Sequence, residues 1–246
     1  MQIIAVIPAR YGSTRFPGKP LAHICGKPMI QRVYENARQC SLVDRVVVAT
    51  DSDEIARVVQ DFGGEICMTS SMHETGTDRI AEAAQHLDAD FIVNVQGDEP
   101  LLQPQAIELA VRPLMKNQQV PMGTLKARIT SEQDIDNPNI VKVVTDTHGH
   151  ALYFSRSAIP FVRNRQNDSV LYRHIGLYVY RRDFLLQLTR LPQSVLEKAE
   201  SLEQLRALEY GFCIHVAETD YEPVSVDVPE DIVKVEDALR RQGLAV

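Results

Sequence analysis

The stretch "QIIAVIPARYGSTRFPGKP", Gln2 to Pro20, joins two kinds of sequence, and the junction decides the fold. Its first part, through Pro8, is a continuous apolar run, the pattern of a strand buried on both faces within a parallel sheet. Its second part sets Arg10, Arg15 and Lys19 among Gly12, Ser13, Thr14 and Gly18, in a chain of formal net charge -7. A glycine-containing loop leaving a parallel strand can wrap backbone N–H groups around phosphate oxygens, and nearby Arg and Lys supply the charge that several phosphates require. Gly12 and Gly18 tolerate the unusual angles and close approach such a loop needs. The segment has neither Walker A spacing nor a GxGxxG fingerprint. On its own it reads as a polyphosphate cradle or as a basic surface loop with two turn glycines.

Outward from this loop, strand and helix alternate. "KPMIQRVYENARQC" places Met29, Ile30, Val33 and Ala37 at helical spacing after Pro28. "DRVVVATD" is a second buried strand, and "SDEIARVVQDFGG" a helix opened by Ser52 or Asp53 and stopped at Gly63-Gly64. "EICMTS" is a short strand, "GTDRIAEAAQHL" a helix, "DFIVNVQGDEP" a strand and "QPQAIELAVRPLMKN" a helix with Pro113 near its end. This order calls for a doubly wound, mostly parallel α/β sheet whose ligands lie beyond the carboxyl ends of its strands. Further on, "PNIVKVVTDTHGHALYFSRSAIPF" reads as a hairpin turning at "DTHGH", and "YRHIGLYVYRR" as a strand. One helix is expected over "VLEKAESLEQLRALEYG", then a strand "FCIHVAE" and a closing helix in "VPEDIVKVEDALRRQG". A single domain over 1–246 results, with a smaller hairpin-rich lobe at about 140–180.

At 246 residues and 44% hydrophobic, the chain can bury a substantial core. Its acidity excludes a broad nucleic-acid surface, so a local basic cluster must serve something small and anionic. No apolar run approaches the roughly 18 residues of a membrane span, and the start lacks a basic n-region, so a cytoplasmic protein is expected. Cys25, Cys40, Cys67 and Cys213 are scattered and form no CxxC pair, which suits reduced, structural thiols.

"VNVQGDEP" puts Gln96, Asp98 and Glu99 at the carboxyl end of a buried strand. Asp98 reads equally as a turn residue before Pro100 and as a hard oxygen ligand for Mg²⁺. Asp227 in "SVDVPED" reads as a helix cap or as a second ligand. In "HETGTDR", Thr75 and Arg79 suit an anion site, or an ordinary cap followed by a solvated Arg. Along "RHIGLYVYRR", His174, Gly176 and Tyr178 share one face. That face reads as a pocket wall with a close-approach glycine, or as an exposed sheet face. Glu203 and Gln204 lie on a helix, where polar residues are usually solvated.

"IPARYGSTRFPGKPL" closely resembles the N-terminal signature of sugar nucleotidyltransferases that use CTP, and within them the 3-deoxy-D-manno-octulosonate (Kdo) cytidylyltransferases. The resemblance continues through "ATDSDEI", "HETGTDRIAE", "NVQGDEPL", "NPNIVKVV", "YFSRSAIPF", "YRHIGLYVYRR", "LEKAESLEQLRAL" and "VDVPEDI", nearly the whole chain. It implies a nucleotide-diphospho-sugar transferase fold and transfer of CMP from CTP to the anomeric hydroxyl of Kdo, for lipopolysaccharide synthesis. By the same resemblance, Arg10, Ser13, Arg15 and Lys19 grip the triphosphate, Thr75, Arg79 and Gln96 contact the nucleotide, and Asp98 and Asp227 hold Mg²⁺. Arg15 and Lys19 join the two acids as catalytic residues. Arg156, His174, Tyr178, Glu203 and Gln204 form the Kdo set, and a homodimer is implied. The family more often has Thr where this chain has Val228, and Ser at Thr75. A CMP-sialate synthetase would share the triphosphate loop, but "RHIGLYVYRR" and "LEQLRAL" favour Kdo.

Overall fold

The computed structural model describes residues 1–12, 15–163, 170–241 and 243. It divides into two compact units, Met1–Glu108 with Pro223–Val246, and Leu109–Glu222.

In the first unit, β1 (Ile3–Ala9) is buried along nearly its whole length, as its apolar run requires. It pairs in parallel with β4 (Arg45–Thr50) on one side and β6 (Phe91–Asn94) on the other, and β5 (Glu65–Met68) adds in parallel to β4. The order β6-β1-β4-β5 therefore reverses direction between β1 and β6, and ligands of such sheets bind outside the carboxyl ends of the strands at this reversal. Helices α1 (Met29–Arg38), α2 (Asp53–Asp61) and α3 (Gly76–Gln85) connect the strands. Ser52 caps α2 by accepting the Ile55 N–H at 3.4 Å, and Thr75 caps α3 by accepting the Asp78 N–H at 3.1 Å.

A two-stranded ribbon, β2 (His23–Ile24) with β3 (Lys27–Pro28), precedes α1 and has no periodic signature in the sequence. The last helix, α9 (Asp231–Arg241), closes this unit. Ile24, Met29, Val226, Val235 and Leu239 form its buried cluster, with Phe16 and Leu101 packed against it. Burying each such aliphatic side chain stabilises the fold by about 1.5–3 kcal/mol. The cluster thus ties the segment before Asp227 to the basic loop and to the segment after Asp98. The chain from Tyr221 to Asp227, leading into α9, is irregular.

Helix α4 (Pro104–Lys116) carries the chain into the second unit, with Pro113 inside it. There β7 (Met122–Arg128) runs antiparallel to β10 (Tyr172–Arg181) and parallel to β11 (Ile214–Glu218). The expected hairpin is present as β8 (Lys142–Thr145) and β9 (Ala151–Ser155). Short helices α5 (Glu132–Ile135) and α6 (Arg182–Leu188) complete this part. The single helix expected over 195–211 is two, α7 (Val195–Glu200) and α8 (Gln204–Glu209). The break falls at Ser201, which adopts a left-handed φ of 51° that no helix continues through.

Candidate active site

At the carboxyl end of β1 the chain leaves as the basic loop. The Gly18 N–H donates to the Tyr11 carbonyl at 3.0 Å, closing the loop at its base, and Gly18 takes φ 69°, a conformation that favours glycine. Lys19 then starts a 3₁₀ turn, Lys19–Leu21. Ser13 lies outside the described residues. Across the reversal, the turn after β6 passes so close to β1 that a Cβ on Gly97 would sit 3.0 Å from the Pro8 carbonyl oxygen. That approach is what sets Asp98 beside the basic loop. Between them lies a cavity of about 290 Å³, whose walls include Arg10, Arg15, Lys19, Thr75, Arg79, Gln96, Asp98 and Asp227.

Lys19 organises the acids. Its Nζ donates to Asp98 Oδ2 at 2.7 Å and to the Val226 carbonyl at 2.9 Å, and lies 3.7 Å from Asp227 Oδ1. Arg15 Nη2 reaches the same Asp227 oxygen at 3.3 Å. The Val226 N–H donates to the Asp98 carbonyl at 3.0 Å, so the two acid-bearing segments are joined through their backbones. Two carboxylates separated by more than half the chain therefore converge on one ammonium. As a donor set, two carboxylates beside a phosphate-sized basic cavity fit Mg²⁺, which is usually held by one or two carboxylates plus substrate phosphates.

Opposite, the loop Thr69–Thr75 is bound to α3. Arg79 is only 4% exposed, so it is no solvated residue. Its Nη1 donates to Thr69 Oγ1 at 2.6 Å and its Nη2 lies 3.4 Å from Asp51 Oδ1. Thr75 Oγ1 donates to Asp78 Oδ2 at 2.8 Å besides capping the helix. Gln96 Nε2 donates to Asn94 Oδ1 at 3.4 Å, and Glu99 is buried.

The second unit holds the other set, of which His174, Tyr178 and Glu203 lie together. His174 lies edge-on to Phe154, with centroids 5.0 Å apart, and 5.4 Å from the Tyr178 ring. Its Nε2 meets Thr124 Oγ1 at 2.9 Å, while the single Thr124 proton serves the Ile175 or Leu177 carbonyl. Thr124 must then accept from His174, which puts the imidazole proton on Nε2 and leaves Nδ1 as an acceptor. Burial pushes the His174 imidazole down to about 3, so it stays neutral. Burial, reinforced by nearby Glu203, drives the Tyr178 hydroxyl far above its ordinary range, so it remains a donor.

Gly176 sits where the β7–β10 register shifts, between Ile175 and Val179, and a Cβ there would meet nothing within 4 Å. Arg156 clamps the helical corner: Nε donates to the Glu200 carbonyl at 2.7 Å, Nη1 to Pro138 at 2.9 Å and Nη2 to Ser201 at 3.3 Å. Two of its five side-chain N–H groups have no partner among the described residues. The Arg206–Glu197 pair, with N···O distances of 2.5 and 2.8 Å, binds α8 to α7. Gln204 on α8 is 4% exposed, yet its Nε2 has no hydrogen-bond partner among the described residues.

The profile described as cytidylyltransferase matches residues 4–221. The chain belongs to the cytidylyltransferase family. The 3-deoxy-manno-octulosonate cytidylyltransferase of Syntrophotalea carbinolica is 58% identical over 248 residues, 98% of this chain and 99% of its own. That of Trichlorobacter lovleyi is 54% identical over 251 residues, 98% of this chain and 100% of its own. A solved CMP-2-keto-3-deoxy-manno-octonic acid synthetase complexed with CTP matches with a TM-score of 0.94 at 44% identity, covering 98% of this chain and 100% of that one. The fold is accordingly the mixed, mostly parallel sheet of the nucleotide-diphospho-sugar transferases, flanked by helices.

For a cytidylyltransferase, sequence reasoning missed two features of the cavity and one of the second unit. His73 and Glu74 line it beside Thr75, although only Thr75 and Arg79 were singled out from "HETGTDR". The Val226 carbonyl holds Lys19, and no side-chain motif announces a backbone acceptor. Thr124, which fixes the His174 tautomer, lies in β7, a strand the sequence pattern did not reveal.

Proposed function

We propose that the chain transfers CMP from CTP to the anomeric 2-hydroxyl of Kdo, releasing pyrophosphate, as the first step by which this sugar enters lipopolysaccharide. The convergence of Asp98 and Asp227 on Lys19, beside a basic cavity at the sheet's reversal point, carries this reading. Arg10, Ser13, Arg15 and Lys19 bind the triphosphate, and Thr75, Arg79 and Gln96 contact the nucleoside side. The sugar hydroxyl oxygen attacks the α-phosphorus in line. The new O–P bond forms as the α,β-bridging P–O bond breaks, the hydroxyl proton passes to solvent water and pyrophosphate leaves. Arg15 and Lys19 stabilise the charge that develops on the leaving group. Asp98 and Asp227 would hold Mg²⁺, which would supply charge neutralisation at the phosphate and acidify the hydroxyl.

On the sugar side, neutral His174 offers Nδ1 to a hydroxyl, Tyr178 donates, Gln204 supplies its unpaired amide N–H, and Glu203 accepts. The two remaining Arg156 N–H groups suit the Kdo carboxylate. The enzyme works in the cytoplasm, where CTP is made, and no helix among the described residues is long and apolar enough to cross a membrane. It acts as a homodimer, a reading supported by exposed Leu152 (63%) and Phe161 (88%) in the hairpin region, and light scattering at micromolar concentration tests it.

Pyrophosphate release from CTP and Mg²⁺ tests the activity, with Kdo, an amino-substituted Kdo and a sialic acid as acceptors. Turnover with Kdo and none with the sialic acid is expected. Asp98→Asn abolishes it while circular dichroism stays unchanged. Wild-type rates from that variant, or release without any sugar, would overturn the assignment.

A further inference from the structure

Glu82 lies one turn beyond Asp78 on α3 and is not among the residues lining the nucleotide cavity. Its Oε2 accepts the Ser70 N–H at 2.9 Å and pairs with His73 Nε2. Ser70 Oγ in turn accepts the Met72 N–H at 3.1 Å, which turns the chain toward His73. The cavity wall made by His73, Glu74 and Thr75 is thus fastened from behind by one carboxylate, between the anchors at Thr69 (Arg79) and Thr75 (Asp78).

A carboxylate only accepts, so the His73 nitrogen facing Glu82 must carry a proton. The neutral ring is then the Nε2–H tautomer, with its Nδ1 lone pair turned to other partners. The Ser70 N–H, then His73, hold the Glu82 carboxyl below its ordinary range, so at neutral pH it is the ionised acceptor this requires. Charge-assisted bonds of this kind are about twice as strong as neutral ones.

We propose that Glu82 is a positioning residue for the nucleotide: it fixes the height of the Ser70–Thr75 wall and the proton of His73, and so sets CTP affinity without touching CTP. This rests on the cavity being the CTP site. Glu82→Ala removes both bonds, and Glu82→Gln keeps an amide oxygen able to accept them.

The test is steady-state kinetics of both variants with each substrate varied, together with ¹⁵N NMR of the histidine side chains. In Glu82→Ala the KM for CTP rises about tenfold, kcat and the KM for Kdo stay within twofold, and the His73 signal loses its pure Nε2–H signature. Glu82→Gln restores both within about threefold. An unchanged CTP KM in Glu82→Ala, or kcat and both KM values changing together, overturns the proposal. So does a His73 signal that Glu82→Ala leaves untouched. Should wild-type enzyme bind CTP while Arg10→Ala and Lys19→Ala leave that binding intact, the CTP site itself lies elsewhere, a failure separate from that of Glu82.

Discussion

Gln204→Met separates a structural from a binding role, because the two readings give opposite signs. The Gln204 amide is 4% exposed and its Nε2 has no hydrogen-bond partner among the described residues. A buried polar group without a partner costs about 1–3 kcal/mol, and a volume-conserving apolar replacement costs less than about 1.5 kcal/mol in repacking. Methionine at this position therefore raises stability by roughly 1 kcal/mol. For a chain of this size that lifts Tm by about 2–4 °C. If the donor serves Kdo, the same change removes one sugar hydrogen bond worth about 1.5 kcal/mol, near tenfold in KM for Kdo, with the KM for CTP unchanged. Scanning calorimetry and initial-rate kinetics on one preparation read both quantities. A lower Tm together with an unaltered Kdo KM would show that the amide is a structural group and refute the reasoning.

Lys19→Met leaves Asp98 and Asp227 without their shared ammonium. Mn²⁺ binding to the enzyme alone, followed by electron paramagnetic resonance, should tighten about tenfold, and equal or weaker binding would remove the pair as a cation site. The His174 imidazole is lowered from 6.5 to about 3 in the folded chain, so between those values the unfolded chain binds the proton that the folded one refuses. Its contribution to stability is therefore present above 6.5 and lost as pH falls toward 3. His174→Gln should show a shallower loss of stability in urea titrations between pH 7 and pH 4, and identical slopes would contradict the burial argument. Arg206 and Glu197 are both 6% exposed, and breaking one partner of such a buried pair costs about 3–5 kcal/mol. Arg206→Met should lower the urea midpoint accordingly and raise the KM for Kdo more than that for CTP; a drop under 1 kcal/mol would argue against the clamp.

Most of the first unit was legible because strands such as β1 and β4 are buried and helices α2 and α3 carry side-chain caps. Apolar runs such as Ile3–Ile7 and Val46–Ala49 leave few alternatives. Strand β7 was not legible, since Gly123, Thr124 and Lys126 interrupt its apolar pattern. Gly123 is there because α4 packs so closely that a Cβ would fall 2.6 Å from Leu114 Cδ1. The α7–α8 break was hidden because Val195, Ala199 and Leu202 keep the i, i+4, i+7 spacing of one helix across Ser201. At the cavity, residue types left Asp98 and Asp227 open between structural and ligand roles, the family resemblance singled them out with Lys19, and nothing in the order of residues says that Lys19 binds both acids. Arg156 shows the same limit: its use of three carbonyls is a property of packing.

The backbone bond from Val226 to Asp98 has a consequence for how the protein comes into being. A ribosome extends the chain from Met1, so the basic loop, Asp98 and the whole of the second unit emerge before the segment that carries Asp227. A polypeptide released before that segment would carry Lys19 and Asp98 but lack Asp227, the Val226 carbonyl that holds Lys19, and the apolar residues Val226, Val235 and Leu239 packed beneath the basic loop. The pairing of the two acids therefore waits until this late segment docks against the Asp98 backbone.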